Sequence, residues 1–443
     1  MRTNPPLRTI PPLATALALA TGAVTALTAE LPDPAAAAAL ALPAPALNPE
    51  PEPAASSAST SWDRLVETEI GQAFAQGKFS FNARLRWEHA DQEGLKASDA
   101  VTIRPRFGFT TAPAYGFQGM LEAENITSLG APYNPAGLDP DQTDRTVIAD
   151  PETTEINQAW IAYSRWDSVA RYGRQRLLLD NERFVGDVGW RQNQQTFDGV
   201  VVRSEVLPET SLLYGYLTRI NRVFGDAHPQ GNWNSDSHLV HASRQLCPAA
   251  RLTGYGYFLN FDDAVTQSTT TAGASLTGSL KPATDLSLDY RAEFAWQTGG
   301  RNHPVDYDAL YTNLELTASY DRWLLGGGYE LLGSHREVGF TTPLATLHRF
   351  NGWADAFLAT PADGLQDLWV QAGVNLPLNI PFRVIYHKFW SHIDGRDYGQ
   401  ELDLLLSRKF GRHFTTLAKY AWYEGGSGRP DLQRFWLQAE FNY

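Results

Sequence analysis

Residues 79–89 read FSFNARLRWEH. In an extended chain successive side chains point to opposite faces. Phe79, Phe81, Ala83, Leu85 and Trp87 therefore share one face, and Ser80, Asn82, Arg84, Arg86 and Glu88 share the other. The first face suits an apolar surrounding. The second carries guanidinium and carboxylate groups in mid-strand, where a packed core would not tolerate them unpaired. A strand of this kind separates oil from water.

The pattern recurs along the chain. In VTIRPRFGFT (101–110), Val101, Ile103, Phe107 and Phe109 oppose Thr102, Arg104 and Arg106. In DLSLDYRAEFAWQ (285–297), Leu286, Leu288, Tyr290, Ala292, Phe294 and Trp296 oppose Ser287, Asp289, Arg291, Glu293 and Gln297. The last strand, RFWLQAEFNY (434–443), sets Phe435, Leu437, Ala439, Phe441 and Tyr443 against Trp436, Gln438, Glu440 and Asn442. Such segments run for about ten to thirteen residues, against ~5–6 in soluble sheets. A tilted strand needs ~9–11 to cross a bilayer.

Connections alternate in length. Short turns are expected near residues 112–116, 166–169, 207–210, 248–250, 282–284, 321–322, 379–381 and 411–413, with longer polar loops such as 127–154 and 334–349 between them. Short turns on one side and long loops on the other mark an outer-membrane barrel. From Phe79 to Tyr443 the reading gives about eighteen strands, within a range of 16–18. Ser237–Leu246 and Asn351–Ala359 read either way. The expected fold class is all-β, a transmembrane antiparallel β-barrel. Closure matters because an open sheet edge in lipid leaves backbone groups unsatisfied. The rival is a soluble sandwich or propeller. Against it stand the charged mid-strand faces and the amphipathic last strand ending in Tyr443.

Composition agrees. The chain of 443 residues is 43% hydrophobic and 12% aromatic, so it folds. Its net charge of -13 excludes a general nucleic-acid binder. Cys247 is its one cysteine, which rules out an internal disulfide and a cysteine-pair zinc site. No interior apolar run is long enough for a membrane helix. At the N-terminus Arg2 and Arg8 precede the apolar run LATALALATGAVTALTA, the layout of a signal peptide over residues 1–29. Residues 30–61 are Pro/Ala-rich and read as a disordered linker. Residues 62–77 read as a short periplasmic helix, with Ser61 as cap, a Leu65/Ile70/Phe74 stripe and Gly77 at its end. Residues 78–443 form the barrel domain.

A barrel of this size leaves an aqueous interior. Arg84, Arg86, Arg104 and Arg106 lie on the first two strands, and pairing of those strands would make them a basic ladder in the lumen. A guanidinium fork matches a carboxylate. The competing reading pairs them with Glu88, Glu122 and Glu124 as wall structure. A second polar cluster is YGRQRLLLDNERFVGDVGWRQNQQTFDGV (172–200). It reads as a strand, a loop and a returning strand. Folded inward, the loop would narrow the pore as charged rings do in selective channels. Arg183, Arg191, Gln192, Asn193 and Gln194 would then donate to hydroxyls and carboxylates of a sugar. The alternative is a self-bonded loop satisfied by Asp180, Glu182 and Asp187.

GRQRLLLDNERFVGDVGWRQNQQTFD (173–198) resembles the signature region of the alginate export family of outer-membrane porins. GWADAFLATPADGLQDLWV (352–370), GKFSFNARLRWE (77–88) and the tail DYGQELDLLLSRKF, LAKYAWYE and FWLQAEF are similar to other segments of that family. The resemblance spans roughly Leu65 to Tyr443. It implies a monomeric barrel whose positively lined pore passes an anionic polysaccharide or its oligomers. By position in the motif it carries Arg174, Arg176, Asp180, Asn181, Arg183, Arg191, Asn193 and Asp198 into the pore. It sets no direction of transport. The partners it implies are outer-membrane lipid, the anionic saccharide and the barrel-assembly machinery, which would read the strand ending at Tyr443. No cofactor, metal or nucleic acid is expected.

Two other classes compete. A barrel enzyme would use some of the ten histidines, but no HExxH metal motif or GxSxG elbow occurs. A plugged structural or adhesive barrel would conduct nothing. Asp139, Asp141 and Asp144 hint at a calcium loop, yet lack its glycine and terminal glutamate.

Overall fold

The computed structural model describes residues 69–443. The signal peptide (1–29), the linker (30–61) and the first part of the 62–77 helix lie outside the described residues. Residues 69–75 are helical. Ala112 N donates to Ala73 O at 2.8 Å, and the Phe74 ring lies 6.1 Å from that of Phe109, so this helix end rests against the first short turn.

The first strands are β1 (Lys78–Gln92), β2 (Ser98–Thr110), β3 (Phe117–Ser128), β4 (Thr153–Arg165), β5 (Ser168–Gln175), β6 (Thr196–Ser204) and β7 (Thr210–Asn221). There follow β8 (Asn232–Cys247), β9 (Ala250–Leu259), β10 (Thr269–Ala283), β11 (Leu286–Gly299), β12 (Asp308–Tyr320) and β13 (Trp323–Leu332). A small hairpin, β14 (Ser334–His335) and β15 (Val338–Gly339), stands apart from the wall. The wall resumes with β16 (Leu365–Leu376), β17 (Ile380–Trp390), β18 (Asp397–Phe410), β19 (Phe414–Gly425) and β20 (Leu432–Asn442).

The eighteen wall strands pair antiparallel with their sequence neighbours, and β1 pairs β20, which closes the barrel. Closure leaves no free strand edge in the wall, as lipid requires. Of the two ambiguous segments, Ser237–Leu246 belongs to β8, whereas Asn351–Ala359 is not a strand and lies in the loop before β16. The expected asymmetry is present. Connections on one rim are short, and those on the other include the long stretches 129–152, 176–195 and 333–364.

The outward face is apolar and exposed. Leu314 at mid-strand is 51% accessible. Aromatics flank the band, with Phe117, Trp166, Tyr320 and Trp323 toward the short turns and Trp87, Trp296 and Trp422 toward the loops. Leu314→Arg should cost ~2–4 kcal/mol at the bilayer midplane. Urea refolding into lipid vesicles would read this as a lowered midpoint. An unchanged midpoint would mean that Leu314 does not face lipid.

Candidate functional site

Two long loops, 176–195 and 333–364, turn into the barrel and join into one body. Gly186 N donates to Leu344 O at 2.8 Å and Val188 N to Thr346 Oγ1 at 3.0 Å. The Thr346 hydroxyl and Arg349 Nη1 both donate to Glu182, at 2.6 and 2.7 Å. Trp190 stacks on His348 with ring centres 4.4 Å apart. The approach needs glycine at 186, where a Cβ would meet Thr346 Oγ1 at 2.3 Å. Val188 holds φ at +52°, a costly conformation for a β-branched residue. The surrounding bonds hold it there.

The inner wall has three sectors, and each meets a different chemistry of the loop body. On β1 and β2 the arginines grip its carbonyls. Arg84 Nη1 donates to Gly189 O at 2.9 Å, Arg86 Nη2 to Trp190 O at 2.6 Å and Arg104 Nη1 to Gln192 O at 3.3 Å. On β18 the carboxylates receive its amides. Ala354 N donates to Glu401 at 2.7 Å and Trp353 N to Asp403 at 3.2 Å. On β9 and β12 the wall is aromatic, and Phe184 inserts 5.0 Å from the Tyr255 ring and 5.3 Å from Tyr311. Orienting backbone dipoles between charges of opposite sign fixes the body and satisfies the carbonyls of 189–192 and the amides of Trp353 and Ala354.

The basic ladder therefore exists, since Arg84 and Arg104 are cross-strand partners, but it is engaged. Arg84 pairs with Glu440 at 3.2 Å and Arg86 with Asp150 at 3.5 Å. Arg106 pairs with Glu124 and lies 3.8 Å from Glu122, the two acids expected from the sequence. The third expected acid, Glu88, instead serves Arg191 at 3.4 Å and Arg434 at 3.0 Å. In the loop body Arg176 pairs with Asp187, and Arg183 forks onto Glu330 at 2.8 and 3.1 Å. Arg191 reaches Asp355 at 2.7 Å. Gln192 donates to Thr102 Oγ1 at 2.8 Å, and Asn193 is buried beside it. Asp180 accepts from His241 at 3.0 Å, and Asn181 Oδ1 accepts from Arg183 N at 3.3 Å.

Arg174 and Asp198 are placed differently from the motif's implication. They bond to each other at 2.9 Å and share the outward face with Tyr172, which is 65% exposed. The two-residue period dictates this: counting from an outward Tyr172, residue 174 is outward too. They lie on the wall's outer surface and contact no lumen group.

Several residues of the site escaped the sequence reading. Arg434, Glu330, Glu401, Asp403 and Lys419 all face inward and are buried. A signal was present, because Glu401 and Asp403 alternate with Leu402 and Leu404. The Lys419 ammonium lies 3.6 Å from the Trp353 ring centre and 4.3 Å from that of Trp190, and contacts His348 Nε2 at 2.9 Å. Aromatic faces attract a cation more strongly where water is excluded.

Burial, then the Lys419 ammonium, pushes His348 down to about 3. It is neutral at pH 7 and donates from Nδ1 to Asp355 at 2.8 Å. Burial opposes ionisation of Asp355, but His348, Arg191 and Arg434 hold its carboxyl below the usual range. A released His348 would take a proton near pH 6.5, whereas the seated ring does so only near 3. The loop body therefore loses stability as pH falls from 6.5 toward 3, by about 1.4 kcal/mol per unit. Asp355 acts in the same direction below its ordinary value near 3.9. Channel fluctuations in a bilayer should be more frequent at pH 4.5 than at pH 7, and His348→Gln should flatten that dependence. Identical traces at both pH values would refute the seating of His348.

A cavity of about 370 Å³ opens on the long-loop side of the body. Arg191, Asp355 and Arg434 are among the residues that line it. Asp139, Asp141 and Asp144 do not converge on an ion: Asp139 accepts from Asp141 N at 3.0 Å, and Asp144 pairs with Lys96 at 2.6 Å. Among the described residues no group of His, Cys, Asp and Glu is arranged to hold a metal.

A family model described as Alginate export matches residues 136–332. That stretch includes the first inward loop and stops before the second. No curated protein matches the chain. Among solved structures, Acinetobacter baumannii OccAB4 is similar with a TM-score of 0.65 at 13% identity, covering 83% of this chain and 98% of that one. Pseudomonas aeruginosa OpdK, solved with vanillate, gives 0.66 at 14%, covering 84% and 99%. Pseudomonas aeruginosa OpdL gives 0.61 at 16%, covering 83% and 99%. At such identities the likeness is one of fold. The chain is a closed, eighteen-stranded, antiparallel β-barrel of the outer-membrane porin type, and its residues 136–332 match the alginate export family.

Proposed function

We infer that this protein is a monomeric porin of the bacterial outer membrane that passes anionic saccharides, uronate oligomers or their single units, by diffusion through an arginine-lined lumen. The observation that carries the reading is the convergence of Arg191, Arg429 and Arg434 on the lining of the long-loop cavity. The donors of Arg191 and Arg434 are engaged by Glu88, Asp355 and carbonyl oxygens, so an arriving carboxylate meets their positive charge, which acts strongly in a site partly screened from water, rather than open forks. The alginate export match supports the saccharide class, and the likeness to OpdK, solved with the carboxylate vanillate, supports an anionic permeant. Arg84, Arg86, Arg104, Arg106, Arg176 and Arg183 hold the constriction in shape. Gln192 and Asn193 belong to the same loop wall.

A second reading, a plugged barrel, draws on the burial of the loop body. The deciding experiment is single-channel recording in a planar bilayer under a KCl gradient, followed by addition of oligouronate. Anion preference with block by the uronate, weakened in Arg191→Gln, is expected. Absence of any conductance would sink the porin and leave the plugged barrel. Cation preference without block would retain the channel and discard the substrate.

A further inference from the structure

Resting on the anion-channel reading, a more specific site is visible in the long-loop cavity. Arg434 spends its donors on Ala354 O at 2.8 Å, Glu88 at 3.0 Å and Val147 O at 3.2 Å. Arg191 is likewise committed to Glu88 and Asp355. The third arginine on the cavity, Arg429, differs. It stands in the connection between β19 and β20, half-buried. Its guanidinium carbon lies 4.2 Å from the Tyr398 ring centre and 5.0 Å from that of Phe357. Arg429 forms no ion pair with any described carboxylate. Two aromatic rings flank its guanidinium, while its N–H groups keep hydrogen-bonding capacity that rings cannot satisfy.

The rest of the cavity is mostly carbon. Ala356, Leu358, Pro430 and Leu432 contribute to the wall. Tyr423 donates its hydroxyl to Tyr398 O. Gln92 is the single amide on the lining, and Asp355 is already covered by Arg191 and His348. A volume of about 370 Å³ sits at the small end of small-molecule sites. It has room for one ring or two, not for a polymer. A fully hydroxylated sugar would find few partners there, and burying its hydroxyls unpaired would count against binding. A carboxylate on an apolar ring would place its charge at Arg429 and its carbon against Leu358 and Leu432.

We propose that the cavity formed by Arg429, Leu358, Pro430 and Leu432 is a binding site for a small monocarboxylate on an apolar ring, with Arg429 as the residue that recognises the carboxylate. This site lies on the long-loop side, in the cavity that Arg191 also lines.

The probes are benzoate, benzamide and glucuronate, titrated calorimetrically into the full-length protein in lipid nanodiscs. Benzoate should bind, benzamide should not, and glucuronate should bind at least tenfold more weakly than benzoate. Arg429→Gln should weaken benzoate at least tenfold, and Leu358→Asn should weaken benzoate while benzamide still fails to bind. Unchanged benzoate affinity in Arg429→Gln would overturn the site, as would glucuronate binding as tightly as benzoate. The same preparations placed in a KCl gradient keep the two readings apart. Anion preference without benzoate binding would remove this site and leave the porin. Benzoate binding in a barrel that does not conduct would leave the site and remove the porin.

Discussion

Excision of residues 178–192, with a short Gly-Ser link from Leu177 to Asn193, should raise single-channel conductance roughly five- to tenfold. An eighteen-stranded wall by itself encloses an aqueous channel, whereas the native interior is occupied at mid-height by the two-loop body. The wall does not need the loop to close, because β5 and β6 pair directly and β1 pairs β20. Arg84, Arg86 and Arg104 would lose the carbonyls of residues 189–192 and gain water instead. Their charge would then line an open pore, so anion preference should persist while block by large saccharides disappears. Heat-shifted mobility on a gel would verify that the variant still forms a barrel. A folded variant with native conductance would show that the permeation path does not run past the 176–195 loop.

The second large effect concerns Arg183. Its side chain forks onto Glu330, donates to Asn351 at 3.1 Å and lies 4.7 Å from the Phe350 ring. Glu330 also accepts from Tyr311 at 2.8 Å and from Asn351 at 2.6 Å. Arg183→Ala removes the countercharge and leaves a buried carboxylate, at a cost of about 3–5 kcal/mol. The barrel wall would survive, so the loss should fall on the loop body. Proteolysis within 176–195 and 333–364 should become fast, and open-channel noise should rise. The paired variant Arg183→Met with Glu330→Gln should recover most of the protection, since no unpaired charge then remains. Equal protection in Arg183→Ala and the parent would mean the fork contributes little to holding the loops.

These two experiments separate the scaffold from the site, and the sequence treated them unequally. The wall was legible because lipid and water impose a period of two on every strand. FSFNARLRWEH alone places Leu85 and Trp87 outside and Arg84 and Arg86 inside, as found. The inward course of 176–195 was legible as well, from its density of arginine, acid and amide. The same period could have placed Arg174 outside with Tyr172. Motif membership carries no information about which way a side chain points.

What the sequence alone determined, then, is the alternation, the closure and the presence of a charged interior. Each follows from local pattern and from the cost of unsatisfied backbone in a bilayer. Tertiary structure decided the pairings. Arg84 meets Glu440 across the closing seam, Arg183 meets Glu330, and Arg191 meets both Glu88 and Asp355. It also decided that the second loop joins the first, so that one body offers carbonyls to the arginines and amides to Glu401 and Asp403. No local pattern encodes these meetings. They depend on where the closed wall brings distant segments, and a buried charge selects its partner by distance in space.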